Sequence, residues 1–404
     1  MLILKMAWRN IGRNRRRTVV TVGAMALGLY AMVIWFGMLQ GLLNDMEETV
    51  VEVELGDLQI HAPTYLDDPS LYTDIEDFEA LLARLEAAGF RASARLVGAG
   101  LAAAHDSAAG ASLRGIDVQG NARVSVISTR LAAGEWLDDG DPAGVVVGRR
   151  LARALDLAVG DELVVLSQTT DGAIANDLYL VRGILESVSD GVDRSAVFLT
   201  DAAFRELFFM PAGAHEVVVR KPDDLELAAA LETVQGLAPG LDTRSWRSLV
   251  PTIATYLDSA RAAMGIVSAV VYIVIAILIL NAMLMAVFER IREFGVLKAL
   301  GVEPRQVLSL IFVESALQTG LALAIGLALS LPTLWYLVEF GIDTGALGGV
   351  SVIGATFATV WRAAVSPVTF ATPALTLILL VLAAVIYPAL KAARISPVEA
   401  MRHQ

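Results

Sequence analysis

Four long apolar runs, one near the start of the chain and three near its end, flank a polar block at residues 44–262, and this arrangement restricts the fold more than any single motif. A helix needs roughly 20 apolar residues to cross the hydrocarbon core of a bilayer. The runs at 18–43, 263–288, 307–338 and 373–390 meet that requirement. The expected fold class is an integral membrane α-helical protein with four transmembrane helices and one large hydrophilic α+β domain between the first and second. A hydrophobic fraction of 56% and a mean hydropathy of +0.61 agree, since soluble globular chains fall well below both.

Orientation follows from where the bases lie, because Lys and Arg in short flanks stay on the cytoplasmic side. Lys5, Arg9, Arg13, Arg15, Arg16 and Arg17 precede the first run with no acid among them. Arg290, Arg292, Lys298 and Arg305 lie in the 289–306 loop, and Lys391, Arg394 and Arg402 in the 391–404 tail. The 44–262 block instead holds 36 acids against 17 bases, a net of −19. The block and the 339–372 segment are expected outside, and both termini inside. A processed signal peptide ending at Ala24-Met25-Ala26 fits poorly, because only about six apolar residues precede that site and the run continues beyond it.

Cysteine is absent, so the outer domain has no disulfide to rely on. His61, His105, His215 and His403 show no ligand spacing, and neither a metal site nor a nucleic-acid partner is expected. No G-x-x-x-x-G-K-[ST] loop is present to cradle nucleotide phosphates.

Within the outer block, strands are expected at Val51–His61, Gly144–Gly148, Glu162–Gln168, Leu178–Leu185, Ser195–Leu199 and Glu216–Arg220, from alternating or β-branched residues. Helices are expected at Asp74–Ala88, which closes on Gly89, at Arg149–Leu155 and at Asp223–Gln235. Another, from Trp246 to Ala263, is expected to run unbroken into the second span. The block reads as an inner part made from both its ends and a β-rich insert at about 110–200.

Two membrane-proximal segments stand out. Residues 1–17 space Lys5, Arg9, Arg13 and Arg16 on one helical face and Leu4, Trp8 and Ile11 on another, as an interfacial helix on the inner leaflet would. The 289–306 loop reads Glu289-Arg290-Ile291-Arg292-Glu293-Phe294-Gly295-Val296-Leu297-Lys298-Ala299-Leu300-Gly301-Val302-Glu303-Pro304-Arg305-Gln306. Its Gly and Pro breaks make the second span stop near Gly301 and a helix restart at Pro304, leaving a compact charged knob. On spacing alone an ordinary solvated hairpin fits equally.

The layout, this loop and the terminal Ile395-Ser396-Pro397-Val398-Glu399-Ala400-Met401-Arg402 together resemble the permease family of FtsX, MacB and the lipoprotein-releasing LolC and LolE proteins. In that family the loop reads like R-x-R-E-I-G-x-L-K-A-x-G and the end like P-x-E-A-L-R. Arg292, Glu293, Gly295, Leu297, Lys298, Ala299 and Gly301 fall on the first pattern, and Pro397, Glu399, Ala400 and Arg402 on the second; Phe294 and Met401 depart mildly. The 134–183 stretch is similar to the family's periplasmic core domain.

The resemblance implies the transmembrane subunit of a mechanotransmitting (type VII) ABC transporter in a bacterial inner membrane, with its large domain in the periplasm. It implies that Arg292, Glu293, Gly295, Lys298, Ala299, Gly301, Pro304 and Arg305 form the helix that couples to an ATPase. ATP and Mg would be bound by that separate LolD-like subunit, so this chain is expected to be no enzyme itself and to carry no cofactor. MacB has a fused ATPase before its first span, and its absence here is expected to place this chain nearer the LolC and LolE arrangement. Further expected partners are the bilayer, a second permease copy or paralogue, a lipoprotein or other envelope substrate, and a periplasmic carrier or adaptor.

Lipoprotein extraction for transfer to the outer membrane is the leading expectation. MacB-like efflux of peptides or small molecules with an adaptor and an outer-membrane channel, or FtsX-like control of a cell-wall hydrolase, are the alternatives. For acyl chains, Met32, Trp35, Phe36 and Leu39 on span one and Ile266, Val270 and Ile273 on span two offer an apolar surface whose plainer use is lipid contact. Glu314 is the sole ionisable residue of the third run. A carboxylate at mid-bilayer costs roughly 2.5–3.5 kcal/mol, so it needs a partner or a task, and a salt bridge or helix contact near the cytoplasmic boundary is favoured over proton coupling. Pro332 and Pro388 are expected to kink or end their spans, and Gly320 and Gly326 to allow close helix packing or a dimer interface.

Overall fold

The computed structural model describes residues 5–7, 9, 12, 15–169, 172–343, 351–352, 355–356 and 360–394. Leu4, Trp8, Ile11 and Arg13 of the expected interfacial helix, and the whole Ile395–Arg402 motif, lie outside the described residues. Internal contacts divide the chain into two units. One comprises Met1–Asn44, Asp258–Asp343 and Val360–Gln404; the other comprises Asp45–Leu257 and Thr344–Thr359.

The first long helix, α1 (Arg15–Glu48), passes into π-helical turns at Thr49–Leu55. This corrects the strand expected from Val51. The V-E-V-E alternation suits a strand, but Val50, Val51 and Val53 are all buried, Glu52 and Glu54 pair with Arg220 and Arg114, and Gly56 at φ +69° ends the segment. Strand β1 is Leu58–His61.

Then follow α2 (Phe78–Ala87), β2 (Arg91–Ala104), β3 (Ser107–Ile116), α3 (Val118–Val124), β4 (Leu131–Gly134), β5 (Gly144–Val147) and α4 (Arg149–Ala154). After these come β6 (Glu162–Gln168), β7 (Ile174–Leu185), α5 (Asp190–Ser195), β8 (Ala196–Thr200), α6 (Asp201–Phe208), β9 (Glu216–Arg220), α7 (Leu227–Leu237), β10 (Asp242–Ser245) and the single turn α8 (Trp246–Leu249). These ten strands join one sheet, ordered β10-β1-β9-β2-β3-β8-β5-β7-β4, with β6 between β2 and β7.

The inner part and the insert therefore share a sheet rather than meeting at a boundary near residue 110. Strand β2 starts beside β9 at Arg91–Arg95 and ends beside β6 at Leu101–Ala103. The division shows in the cores instead. Leu58, Ile60, Val217 and Val219 alternate inward against Leu81 and Leu85 of α2 and Ala230 and Val234 of α7. Val145 and Val147 face Phe204 and Phe208, whereas Val146 belongs to a cluster with Val53, Ile116 and Phe198. Three helices differ from expectation, and the first of them, α2, begins four residues later than Asp74. Helix α7 begins four residues later than Asp223, and the Trp246 helix breaks at Val250, φ −125° and ψ 69°, because a residue before Pro251 disfavours the helical region.

The other unit contains α9 (Pro251–Phe288), α10 (Ile291–Ala299), α11 (Pro304–Glu339) and α12 (Pro367–Arg394). Together with α1, three of these are long and apolar enough to cross a membrane. Each of the four outruns the apolar run that marks it in the sequence, since helical hydrogen bonding continues wherever propensity allows. Pro332 and Pro388 lie inside α11 and α12 and end neither. Met25 and Leu29 of α1, Ile275 and Ile279 of α9, Leu310 and Leu334 of α11, and Leu377, Val381 and Val385 of α12 build the shared core, and those on α1, α9 and α12 recur at about one helical turn. Gly326 lets α11 approach α1, where Leu29 and the Ala26 carbonyl fill the space a side chain would need; Gly320 instead opens onto empty space.

Candidate functional site: the helical knob between α9 and α11

The chain reverses direction here through three local devices. Glu289 and Arg290 form the turn after Phe288, and α10 then carries Glu293 in its first turn and Lys298 in its last, the placement that complements the helix dipole. Gly301, at φ +93°, supplies the left-handed residue after α10 that other side chains resist. Pro304 opens α11, and Glu303 and Gln306 form a reciprocal capping box, with the Glu303 amide donating to Gln306 Oε1 at 3.2 Å.

The nine-residue helix has distinct faces. Arg292, Val296, Ala299 and Leu300 are exposed, and their steps of four, three and one set them along one side. Val296 is 46% and Leu300 78% exposed, an apolar strip bordered by the Arg292 guanidinium. Gly295, at the edge of that side, is buried. Beyond the turn, Gly301, Glu303, Pro304 and Arg305 are also exposed.

Three ties fix the knob to its neighbours. Arg290 Nη1 lies 2.9 and 3.2 Å from the two carboxylate oxygens of Glu314 on α11, while its Nε is 3.1 Å from Glu293 Oε2. Lys298 Nζ donates at 2.6 Å to the Ala393 carbonyl in the last turn of α12, one of the helix-end acceptors left without an internal donor. Lys391 Nζ sits 4.6 Å from the Phe288 ring centroid, joining α12 to the end of α9.

The sequence-derived residues thus separate into two groups. Arg292, Ala299, Gly301, Pro304 and Arg305 lie outward, whereas Glu293, Gly295 and Lys298 serve the knob's own architecture. Glu314, 9% exposed, is paired with Arg290. Sequence reasoning missed Arg290, Val296 and Leu300; the one available signal was a lone acid at Glu314 that required a base.

The apolar set proposed for substrate contact also divides. Trp35, Ile266, Val270 and Ile273 are exposed, and Phe36 and Leu39 are half-buried. Met32 is a correction: at 2% exposure it belongs to the helical core. Span one is apolar on every side, so periodicity gave no means of telling its inner face from its outer one. Among the described residues no group of three His, Cys, Asp or Glu side chains could hold a metal ion.

The profile of the MacB-like periplasmic core domain matches residues 18–237, and that of the FtsX-like permease C-terminal region matches residues 265–397. The chain belongs to the FtsX- and MacB-like family of ABC transporter permeases. As a permease of this family, it is a membrane protein with an extracytoplasmic α/β domain. An uncharacterized ABC transporter permease of Methanocaldococcus jannaschii is 27% identical over 192 residues, 45% of this chain and 46% of that one. The lipoprotein-releasing system transmembrane protein LolC of Xylella fastidiosa is 24% identical over 326 residues, 73% of each chain. The macrolide export ATP-binding/permease protein MacB of Rhodospirillum rubrum is 23% identical over 373 residues, 87% of this chain and 55% of that one. This permease therefore spans about half the length of two of these three relatives. The crystal structure of the periplasmic region of MacB from Actinobacillus actinomycetemcomitans aligns with 49% of this chain and 91% of that one, at a TM-score of 0.37 and 12% identity.

Proposed function

We propose that this permease couples ATP hydrolysis by a partner ATPase to movement of its extracytoplasmic domain, and that its cargo is a lipoprotein drawn from the outer leaflet of the bacterial inner membrane. The observation that carries the coupling is the exposed Arg292-Val296-Ala299-Leu300 strip on a helix tied to α11 and α12 on its other side. An apolar centre beside one cation suits a groove on another protein. In this reading the knob and both termini are cytoplasmic, and displacement of the ATPase is passed on as a rigid-body movement. The cargo assignment draws on the LolC relative, matched over 73% of both chains. Exposed Trp35, Ile266, Val270 and Ile273 would then face acyl chains.

The match to MacB over 87% of this chain supports a second reading, export through an adaptor and an outer-membrane channel. Purification of the tagged chain in mild detergent, with mass spectrometry of the bound proteins, separates them. An ATPase with triacylated lipoproteins supports lipoprotein release, an ATPase with an adaptor and channel supports efflux, and no ATPase refutes the coupling. Leu300→Glu should release the ATPase while the chain stays inserted; full retention would refute docking at this strip.

A further inference from the structure

We infer that the Arg290–Glu314 ion pair is a positioning strut that makes α10 and α11 move as one body. This rests on the reading of α10 as the helix that docks an ATPase. The covalent link between the two helices is a short turn around Gly301, where a side chain would meet nothing within 4 Å. Lys298 ties α10 to α12, but between α10 and α11 a link of that kind is a hinge unless a second contact braces it. Arg290, at the far end of α10, supplies the brace by reaching a carboxylate 24 residues away. Glu314 lies ten residues into α11, so the second contact sits roughly 15 Å along that helix from the hinge. Two contacts so far apart fix an angle that one alone leaves free.

The chemistry suits a strut. A guanidinium spanning both carboxylate oxygens restricts direction as well as distance. Arg290 is 17% and Glu314 11% exposed at the side chain, so water screens the pair little. Glu293, one turn along α10, holds the Nε edge of the same guanidinium and sets its plane. Glu314 then needs no transported proton to explain its place in an apolar helix.

The chain has no cysteine, so spin labels at Ala299→Cys and Ala316→Cys, both exposed, report the α10–α11 distance without background sites. In nanodiscs and without the ATPase, since Ala299 belongs to the strip read as its docking face, the chain with the Arg290–Glu314 pair intact should give one narrow distribution. Glu314→Gln, nearly isosteric, should broaden it at least twofold. The exchange Arg290→Glu with Glu314→Arg should restore the narrow distribution; should that variant fail to fold, Arg290→Lys should give an intermediate width. A narrow distribution in Glu314→Gln would overturn the strut, as would a broad one with the pair intact. The measurement on the chain alone tests the strut without the ATPase, whereas ATPase retention by Leu300→Glu tests docking, so either can fail independently.

Discussion

Lys298 Nζ and the Ala393 carbonyl oxygen lie 2.6 Å apart, although 95 residues separate them in the chain. The ammonium thereby caps the last turn of α12 while belonging to α10. Lys298→Met keeps the stem and removes the donor, and should cost about 1 kcal/mol. In thermal melts of the reconstituted chain this corresponds to a fall of about 2 °C. Arg in place of Lys should recover part of that loss, which distinguishes a lost cap from lost packing.

Gly326 and Gly320 should behave oppositely. A Cβ at Gly326 would stand 2.9 Å from Leu29 Cδ2 and 3.0 Å from the Ala26 carbonyl, and α1 must yield to admit it. Gly326→Val is expected to cost about 1–3 kcal/mol. Gly320→Ala meets open space and should be neutral or slightly stabilising, as alanine favours a helix. Melting midpoints of the two variants in the same detergent provide the comparison.

Arg95 anchors the π-helical turns to the sheet. At 4% exposure it donates Nη1 to the Glu54 carbonyl at 2.6 Å and Nε to Asn121 Oδ1 at 2.9 Å, with Glu216 at 3.6 Å. Arg114 and Ser189 hold the Glu54 carboxylate at 2.8 Å each. Removing one partner leaves the others buried and unmatched, so Arg95→Met should destabilise by about 3–5 kcal/mol. Hydrogen exchange of amides in 49–61 should rise before that of α11 amides.

Two buried histidines set the response to acid. His215 is fully buried, accepts the Val97 amide at Nδ1 at 3.0 Å and stacks on Tyr65, which stacks on His61. Burial pushes both imidazoles below their ordinary range. The unfolded chain then takes up protons near the ordinary histidine value, about 6.5, while the folded domain does not. Stability is fully present above that pH and is lost as the pH falls toward the lowered folded values, by up to about 1.4 kcal/mol per pH unit per histidine. Melting midpoints between pH 8 and 5 should fall, and His215→Leu should flatten the decline.

The sequence was most readable where β-branched and apolar residues run together, whereas the V-E-V-E alternation from Val51 misled. Glu162–Gln168 and Glu216–Arg220 are strands in the structure as they are in the sequence. The β2–β3 hairpin gave no such signal, because RASARLVGAGLAAA and SAAGASLRGI consist mainly of alanine and glycine, which favour strands weakly. Those small residues have a tertiary cause. A Cβ at Gly98 would lie 2.8 Å from the Phe208 ring, and one at Gly115 would crowd Phe204, so the hairpin makes room for the aromatic side of α6. At the knob, the motif residues and the Gly301 and Pro304 breaks were legible. Its ties were not, since Arg290–Glu314 and Lys298–Ala393 join residues whose proximity depends on helix packing.

The ten-stranded sheet also dictates an order of assembly. Among the described residues strand β1 pairs with β9 and β10 alone, from His61 opposite Glu216 to Leu58 opposite Ser245, so it waits for segments synthesised more than 150 residues later. Local hairpins such as β6–β7 can close early, but the strand that directly follows α1 cannot. Until the last part of the domain emerges, its apolar Leu58 and Ile60 stay uncovered and open to wrong pairing. Folding of this domain therefore ends at the β9-β1-β10 seam, where a ribosome-stalled or truncated chain would be recognised by an unpaired first strand.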